Sequence, residues 1–300
     1  MVIFATNSRQ ALISGAAAIG AAALALLVAL ALAIALPVSF LTFALILLAL
    51  GLAAFAGWAA FHTYALTHTS YAIDRNAFVI RWGPIREIIP MGDVQRVIAG
   101  SDIAADVRLL RLPLPGWWIG RGSHPALGKI HFFSAAPLDE QIIIVTQAAG
   151  YAVSPQEAQA FVDAFRVRFQ MGPTQMVRPA RLFPAVMTWP IWKSPATLAL
   201  IALPVALNAL VFGVGFALFP TLPDQIALHF DAAGSPDRFG GRAQIFGPAV
   251  IGLALALINF AIGAVAYRRD RLAAWLAWGG SAGVQISLLI ATITLAVARP

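Results

Sequence analysis

Apolar positions along this chain follow two rhythms. Five stretches, 11–36, 38–64, 197–219, 246–267 and 273–298, are nearly unbroken runs of Ala, Leu, Ile, Val, Phe and Gly. A helix needs about 20 apolar residues to cross a hydrocarbon core of about 30 Å, so each run predicts a membrane span. No charged side chain stands between Arg9 and Asp74. Pro37 interrupts that region at its centre, so the first two spans read as a helical hairpin with a tight turn. A cleaved secretory leader has an apolar core of only about 7–15 residues followed by polar sequence. Here the first run is longer and leads straight into a second, so it is read as a retained span.

From 67 to 170 the rhythm shortens to β-branched and aromatic runs divided by Gly, Pro, Asp and Asn, the pattern of strands and tight turns. Strands are predicted at 70–73, 77–82, 86–89, 94–99, 107–112, 129–134 and 141–146. Asp74, Arg75 and Asn76 mark a hairpin turn, because Asp and Asn tolerate left-handed backbone, and the sheet is expected to be antiparallel. Ser154, Pro155 and Glu157 read as the N-cap, first position and capping-box acid of a helix. Ala158, Phe161, Val162, Phe165 and Phe169 fall on one face of it. The predicted fold class is an α-helical polytopic membrane protein of five transmembrane helices with an inserted small antiparallel β domain closed by a C-terminal helix. Its parts are a helical hairpin (11–66), the β domain (67–170), an interfacial linker (171–195) and a three-span domain (196–300) with an outer loop at 220–245.

Composition supports the membrane class: 60% of residues are hydrophobic, 11% are charged, and the mean hydropathy is +0.81. A net charge of +7 would suggest nucleic acid as a partner of a soluble protein. In a membrane protein, basic residues near span ends instead set orientation, so no nucleic acid is expected. Arg9, Arg75, Arg178, Arg181, Lys193, Arg268, Arg269 and Arg271 share one side if the N-terminus is inside. The other side receives Pro37, the 220–245 loop and Arg299. That loop balances Asp224, Asp231 and Asp237 against Arg238 and Arg242. The expected arrangement is an inner-membrane protein with a cytoplasmic N-terminus and β domain and an extracytoplasmic C-terminus. The absence of cysteine excludes disulfide and thiolate chemistry.

Two resemblances follow from these segments. YAIDRNAFVIRWGPIREIIPMGDVQRV, PGWWIGRG, GKIHFFSAAPLDEQIIIVT and SPQEAQAFVDAF, in that order, resemble the bacterial pleckstrin-homology family over about a third of the chain. The resemblance implies a curved antiparallel sheet closed by a helix and often tethered to a membrane. LPDQIALHFD, Gly234 and PDRFGG, just before an apolar run, resemble a domain of unknown function found in membrane proteins related to bacterial toxin-immunity receptors.

Several residues are candidates for chemistry. Eukaryotic relatives of the pleckstrin-homology fold bind phosphoinositides through basic strand-loop clusters, and Arg108, Arg111, Arg121 and Lys129 could supply one; solvated surface is the plainer reading. Trp117 and Trp118, among Pro113, Pro115, Gly116 and Gly120, suit a lipid or partner surface or the packing of at least one indole in the core. Asp224, His229, Asp231 and Asp237 could hold a divalent metal, perform acid–base chemistry or cap turns. Asn208, Asn259 and Gln285 fall mid-span and are expected to face the bundle interior, with Gly279 and Gly283 permitting close helix approach. Residues 176–193 combine Arg178, Arg181, Trp189, Trp192 and Lys193 with prolines, reading as an interfacial collar or a flexible linker.

The sequence has no Gly-x-Ser-x-Gly elbow, His-Glu-x-x-His helix or phosphate-binding glycine loop, so neither an enzyme nor a cofactor is expected. His62 is the one Asp, Glu, Lys, Arg or His residue in the predicted spans, which argues against proton-driven transport. The resulting expectation is a non-enzymatic bacterial membrane protein acting as a sensor, immunity or scaffold component. Its expected partners are membrane lipids and an unidentified protein, with a homo-oligomer as a further possibility. The alternative is an oligomeric transporter or channel component.

Overall fold

The computed structural model describes residues 1–109, 114–231 and 235–297. In chain order the elements are β1 (Val2–Ala5), α1 (Arg9–Ala35), α2 (Phe40–Thr67), β2 (Ser70–Ile73), β3 (Ala77–Trp82), β4 (Ile85–Pro90), β5 (Val94–Ala99), β6 (Arg108–Leu109), β7 (Trp118–His124), β8 (Gly128–Ser134), β9 (Ile142–Thr146), β10 (Gly150–Val153), α3 (Ala158–Met171), β11 (Ala180–Leu182), α4 (Pro195–Leu218), β12 (Gln225–Phe230), β13 (Pro236–Gly241), α5 (Gly247–Ala266) and α6 (Arg271–Val297). Five helices, α1, α2 and α4 to α6, are long and apolar enough to cross a membrane, and each covers a predicted span.

The chain forms two compact units. The first comprises residues 1–24 and 52–187. Among its described residues the strands make one sheet in the order β1-β2-β3-β4-β11 and another in the order β5-β9-β10-β8-β7-β6. Their inner faces bury Tyr71, Ile73, Phe78, Ile80, Ile144 and Val153, and α3 closes the core with Phe161 and Phe165. A second apolar layer, including Ile130, Phe132, Ile143 and Val145, covers the other face of the larger sheet. The central strands are therefore buried on both sides, which is why β9 reads Ile-Ile-Ile-Val-Thr instead of alternating.

The structure corrects the expected β domain in three ways. First, β8 and β10 pair in parallel, because β10 folds back from β9 and inserts between β9 and β8. Second, Ser154 does not cap the helix. Its Oγ accepts from Ala135 N–H at 3.0 Å, and its own N–H donates to Tyr71 Oη at 3.2 Å. Tyr71 in turn donates to Phe133 O at 2.6 Å. With Ser154 held in this buried network, α3 starts at Ala158 and Glu157 occupies the cap position without a side-chain hydrogen bond. Third, β1 and β11 extend the smaller sheet at both edges, so residues on either side of 67–170 belong to this unit. The segment after α3 is tied down: Arg75 donates to Met171 O and Gly172 O, and Asn76 Oδ1 accepts from the N–H groups of Thr174 and Gln175. Within the predicted interfacial linker at 171–195, residues 180–182 form a strand, and the segment up to residue 187 belongs to the first unit.

The second unit comprises residues 25–51 and 188–300. Here α4 begins as its sequence dictates, with Ser194 Oγ accepting from Thr197 N–H at 3.2 Å and Pro195 in the first turn. Asp270 caps α6 through the N–H groups of Leu272 and Ala273. Close helix approach depends on glycines other than those expected. Gly283 has open space and Gly279 meets only Leu200 at 3.9 Å, whereas a Cβ on Gly213 would reach the Phe43 ring at 2.9 Å and one on Gly263 would strike the Trp278 indole. The segment between α4 and α5 contains a hairpin, β12–β13, whose register shifts on both sides of His229.

Candidate functional site

In the first unit, charged side chains occupy positions that strand alternation assigns to the core face. Glu87 on β4 lies opposite the buried Ile80 on β3, and Arg181 on β11 lies opposite Glu87. On the larger sheet, Arg121 pairs with His131, and His131 with Tyr151. His131 and Tyr151 each stand two residues before a core residue, Phe133 and Val153. One end of the space between the sheets is therefore polar, while the rest is apolar. Lys129, two residues before His131 on β8, continues this row outward.

The electrostatics reflect half-burial. Arg181 Nε lies 3.1 Å from Glu87 Oε2, yet neither atom is aligned for a hydrogen bond, so the contact is ionic. Arg181 also sits over the Phe133 ring at 5.8 Å. Burial pushes the Glu87 carboxyl above its usual range, an effect that Arg181 and Arg121 partly offset. Burial first, and then the charges of Arg181, Arg121 and Lys129, hold His131 below its usual value. Its ring stacks on Tyr151 at 5.6 Å. Chemically, this is a half-buried cationic end with one carboxylate in contact, suited to anionic or hydrogen-bonding ligands.

Of the basic residues singled out in sequence, Arg121 and Lys129 belong to this end. Arg108 is exposed on β6, opposite Ser123, which in turn pairs with Lys129. Arg111 lies outside the described residues. Glu87, His131 and Tyr151 were not singled out; the available signal was a polar residue in the apolar phase of a strand, as in Ile85-x-Glu87-x-Ile89. Trp117 takes the core alternative and is not part of a lipid or partner surface. It is 3% exposed and donates its indole N–H to Ala11 O at 3.3 Å. The neighbouring Gly116 has φ +76, and a Cβ there would strike the backbone at Ala11. Ser14 donates to Pro115 O at 2.6 Å, so this turn anchors the β domain to the start of α1. Trp118 is half-buried against the second apolar layer.

In the second unit, Asn208 Nδ2 donates to Gln285 Oε1 at 3.0 Å and to Ala249 O at 2.9 Å, and Gln285 Nε2 donates to Gly252 O at 2.7 Å. These bonds join α4, α5 and α6. Asn259 is half-buried and outside this network. In the β12–β13 hairpin, His229 Nδ1 and Asp237 Oδ1 are 2.6 Å apart and well exposed. Asp231 Oδ1 accepts from Ser235 N–H at 2.8 Å, closing the turn. Asp224 is nearly fully exposed, 3.9 Å from Arg242. Among the described residues no group of three or more metal-ligating side chains converges, so the four hairpin candidates are not assembled into one centre.

These features define a multi-pass membrane protein with a β domain inserted between its second and third long helices. Residues 69–169 match the bacterial PH domain family, and residues 206–253 match a domain of unknown function, DUF1648. No curated protein and no solved structure matches the chain.

Proposed function

We propose that this chain is a non-enzymatic inner-membrane protein serving as a sensor, immunity or scaffold component, with the PH domain and N-terminus cytoplasmic and the β12–β13 hairpin and C-terminus outside. The observation that carries this reading is where the basic residues fall relative to the helix ends. Arg9 opens α1, Lys193 precedes α4 by two residues, Arg268 and Arg269 follow α5, and Arg271 opens α6. If all five helices cross, these residues share the side of the β domain, in line with the bias of Lys and Arg towards the cytoplasmic side. The cationic end at Arg121, Lys129 and Arg181 supports contact with membrane lipid headgroups or an acidic partner protein.

The competing reading, an oligomeric transporter or channel component, requires polar groups open to a pathway. Asn208 and Gln285 bond each other and two backbone carbonyls, which supports a structural role for them. Reporters active on only one side of the membrane, fused after Gly172, Gly241 and the C-terminus, test the arrangement. Activity inside at Gly172 and outside at the other two is expected. Reversed signs would remove cytoplasmic partners and overturn the proposal.

A further inference from the structure

Helix α3 carries more apolar surface than the core beneath it uses. Phe161 and Phe165 are buried, but Val162 is only partly buried and Phe169 is 44% exposed. Beside this surplus runs β5, an edge strand of the larger sheet. Between them lies a groove of about 510 Å³ whose apolar lining includes Val97, Ile98, Val162, Phe165 and Phe169.

Among the described residues no strand pairs with the outer edge of β5. Gly100 N–H donates to Gln141 O at 2.7 Å, and the β5–β9 register runs Ala99↔Ile142, Ile98↔Ile143, Val97↔Ile144. Hydrogen-bonded and non-bonded pairs alternate in an antiparallel ladder. Ile98 therefore turns its backbone groups towards β9, while Val97 presents its N–H and C=O, and Ala99 its N–H, to the groove. An unpaired edge of this kind is a template for an added strand.

The rim is charged with opposite signs at its two ends. Asp139 and Glu140 line the groove just before Gln141, at the Gly100 end of β5. Arg96 lies in the first half of β5. Arg166 lies in the second half of α3, whose last residues bond Arg75. The adjacent Asn76 accepts from Met91 N–H, placing this part of α3 near the start of β5.

We propose that this groove binds an extended segment of a partner protein as an added strand on β5. An apolar side chain of the segment packs between Val97 and Phe169, a basic residue faces Asp139 and Glu140, and an acidic residue faces Arg96 and Arg166. Backbone bonds supply affinity, and the side-chain positions supply selectivity. The inference goes beyond the function proposed above and holds whichever side of the membrane the domain faces.

The test uses the full chain in lipid nanodiscs and labelled eight-residue peptides with alternating apolar residues, Lys at one end and Glu at the other, in both polarities. Saturable binding of one polarity is expected, weakened at least about tenfold by Ala99→Pro. Ala99 has φ −73, which proline adopts, and its N–H is outside the ladder, so the variant removes one docking donor and leaves the fold intact. Phe169→Asp, at an exposed position, provides a second variant expected to weaken binding similarly, with circular dichroism and melting confirming that both remain folded. Three results overturn the proposal: no saturation of either peptide by about 1 mM, binding unchanged in both folded variants, or self-association of the chain that Ala99→Pro abolishes, which would assign the groove to a second copy.

Discussion

The amide network of the three-helix unit and the ionic end of the PH domain both gather polar groups from separate elements, but they handle them differently. Asn208 and Gln285 are neutral, almost fully buried, and bonded to each other and to backbone carbonyls. Glu87, Arg121, His131 and Arg181 are ionisable, half-buried or exposed, and the Glu87–Arg181 contact lacks hydrogen-bond alignment. Hydrocarbon offers no water to replace a missing partner, so a polar group there is stabilising only when its bonds are internal. Beside water, incompletely paired charge persists and remains available to a ligand. The first arrangement locks helices together; the second leaves capacity for binding.

Breaking the lock should give the largest effect. A Cβ on Gly252 would lie 2.5 Å from Gln285 Oε1 and 2.8 Å from Asn208 Nδ2, so Gly252→Ala must push the amides apart. A loss of about 1–3 kcal/mol is expected from such overpacking. Asn208→Leu and Gln285→Leu should each lose about 0.6–2 kcal/mol, whereas Asn259→Leu should stay within about 0.5 kcal/mol. Unfolding of the purified chain in detergent measures all four. Equal stability of the Asn208, Gln285 and Asn259 variants would remove the distinction between a lock and incidental mid-span amides.

The lock was partly legible in sequence because an amide within an apolar run has few alternatives to a helix–helix bond. Asn259 shows the limit: mid-span position gives depth, but not which amides bond one another. The spans themselves and strands such as β3 and β5 emerged from their periods. β7 did not, because Trp-Ile-Gly-Arg-Gly-Ser-His resembles a turn and is a strand only through pairing with β8. β1 and β11 are three or four residues long and pair with strands distant in sequence, which local propensity cannot reveal. Ser154 carried a proper capping pattern, yet the buried Tyr71 network claimed its hydroxyl and displaced the helix start.

The ionic end should respond to pH more modestly. His131 is held below its ordinary value of 6.5, so the unfolded chain takes up its proton first on acidification. Its contribution to stability is fully present above pH 6.5 and is lost as pH falls through the lower folded value. Glu87 has the opposite shift: raised from 4.5, its contribution is fully present below pH 4.5 and is lost as pH rises through the folded value. His131→Gln should therefore reduce the fall in melting temperature on going from pH 7.5 to acid while leaving the neutral melt nearly unchanged. A fall identical to that of the unsubstituted chain would show that this end is solvated too well to sense its own charges.

The smallest effect is expected at the β12–β13 hairpin, where charge is paired but exposed. His229 and Asp237 are 65% and 47% exposed at the side chain, and pairs of this kind contribute under about 1 kcal/mol after screening by water and salt. His229→Ala should hardly alter the melt, and added zinc should not raise it for either chain, because the hairpin candidates do not converge among the described residues. Zinc-dependent stabilisation lost in His229→Ala would reverse the ranking: the hairpin would then be a ligand site, and incomplete pairing beside water would mark binding capacity at both water-facing modules.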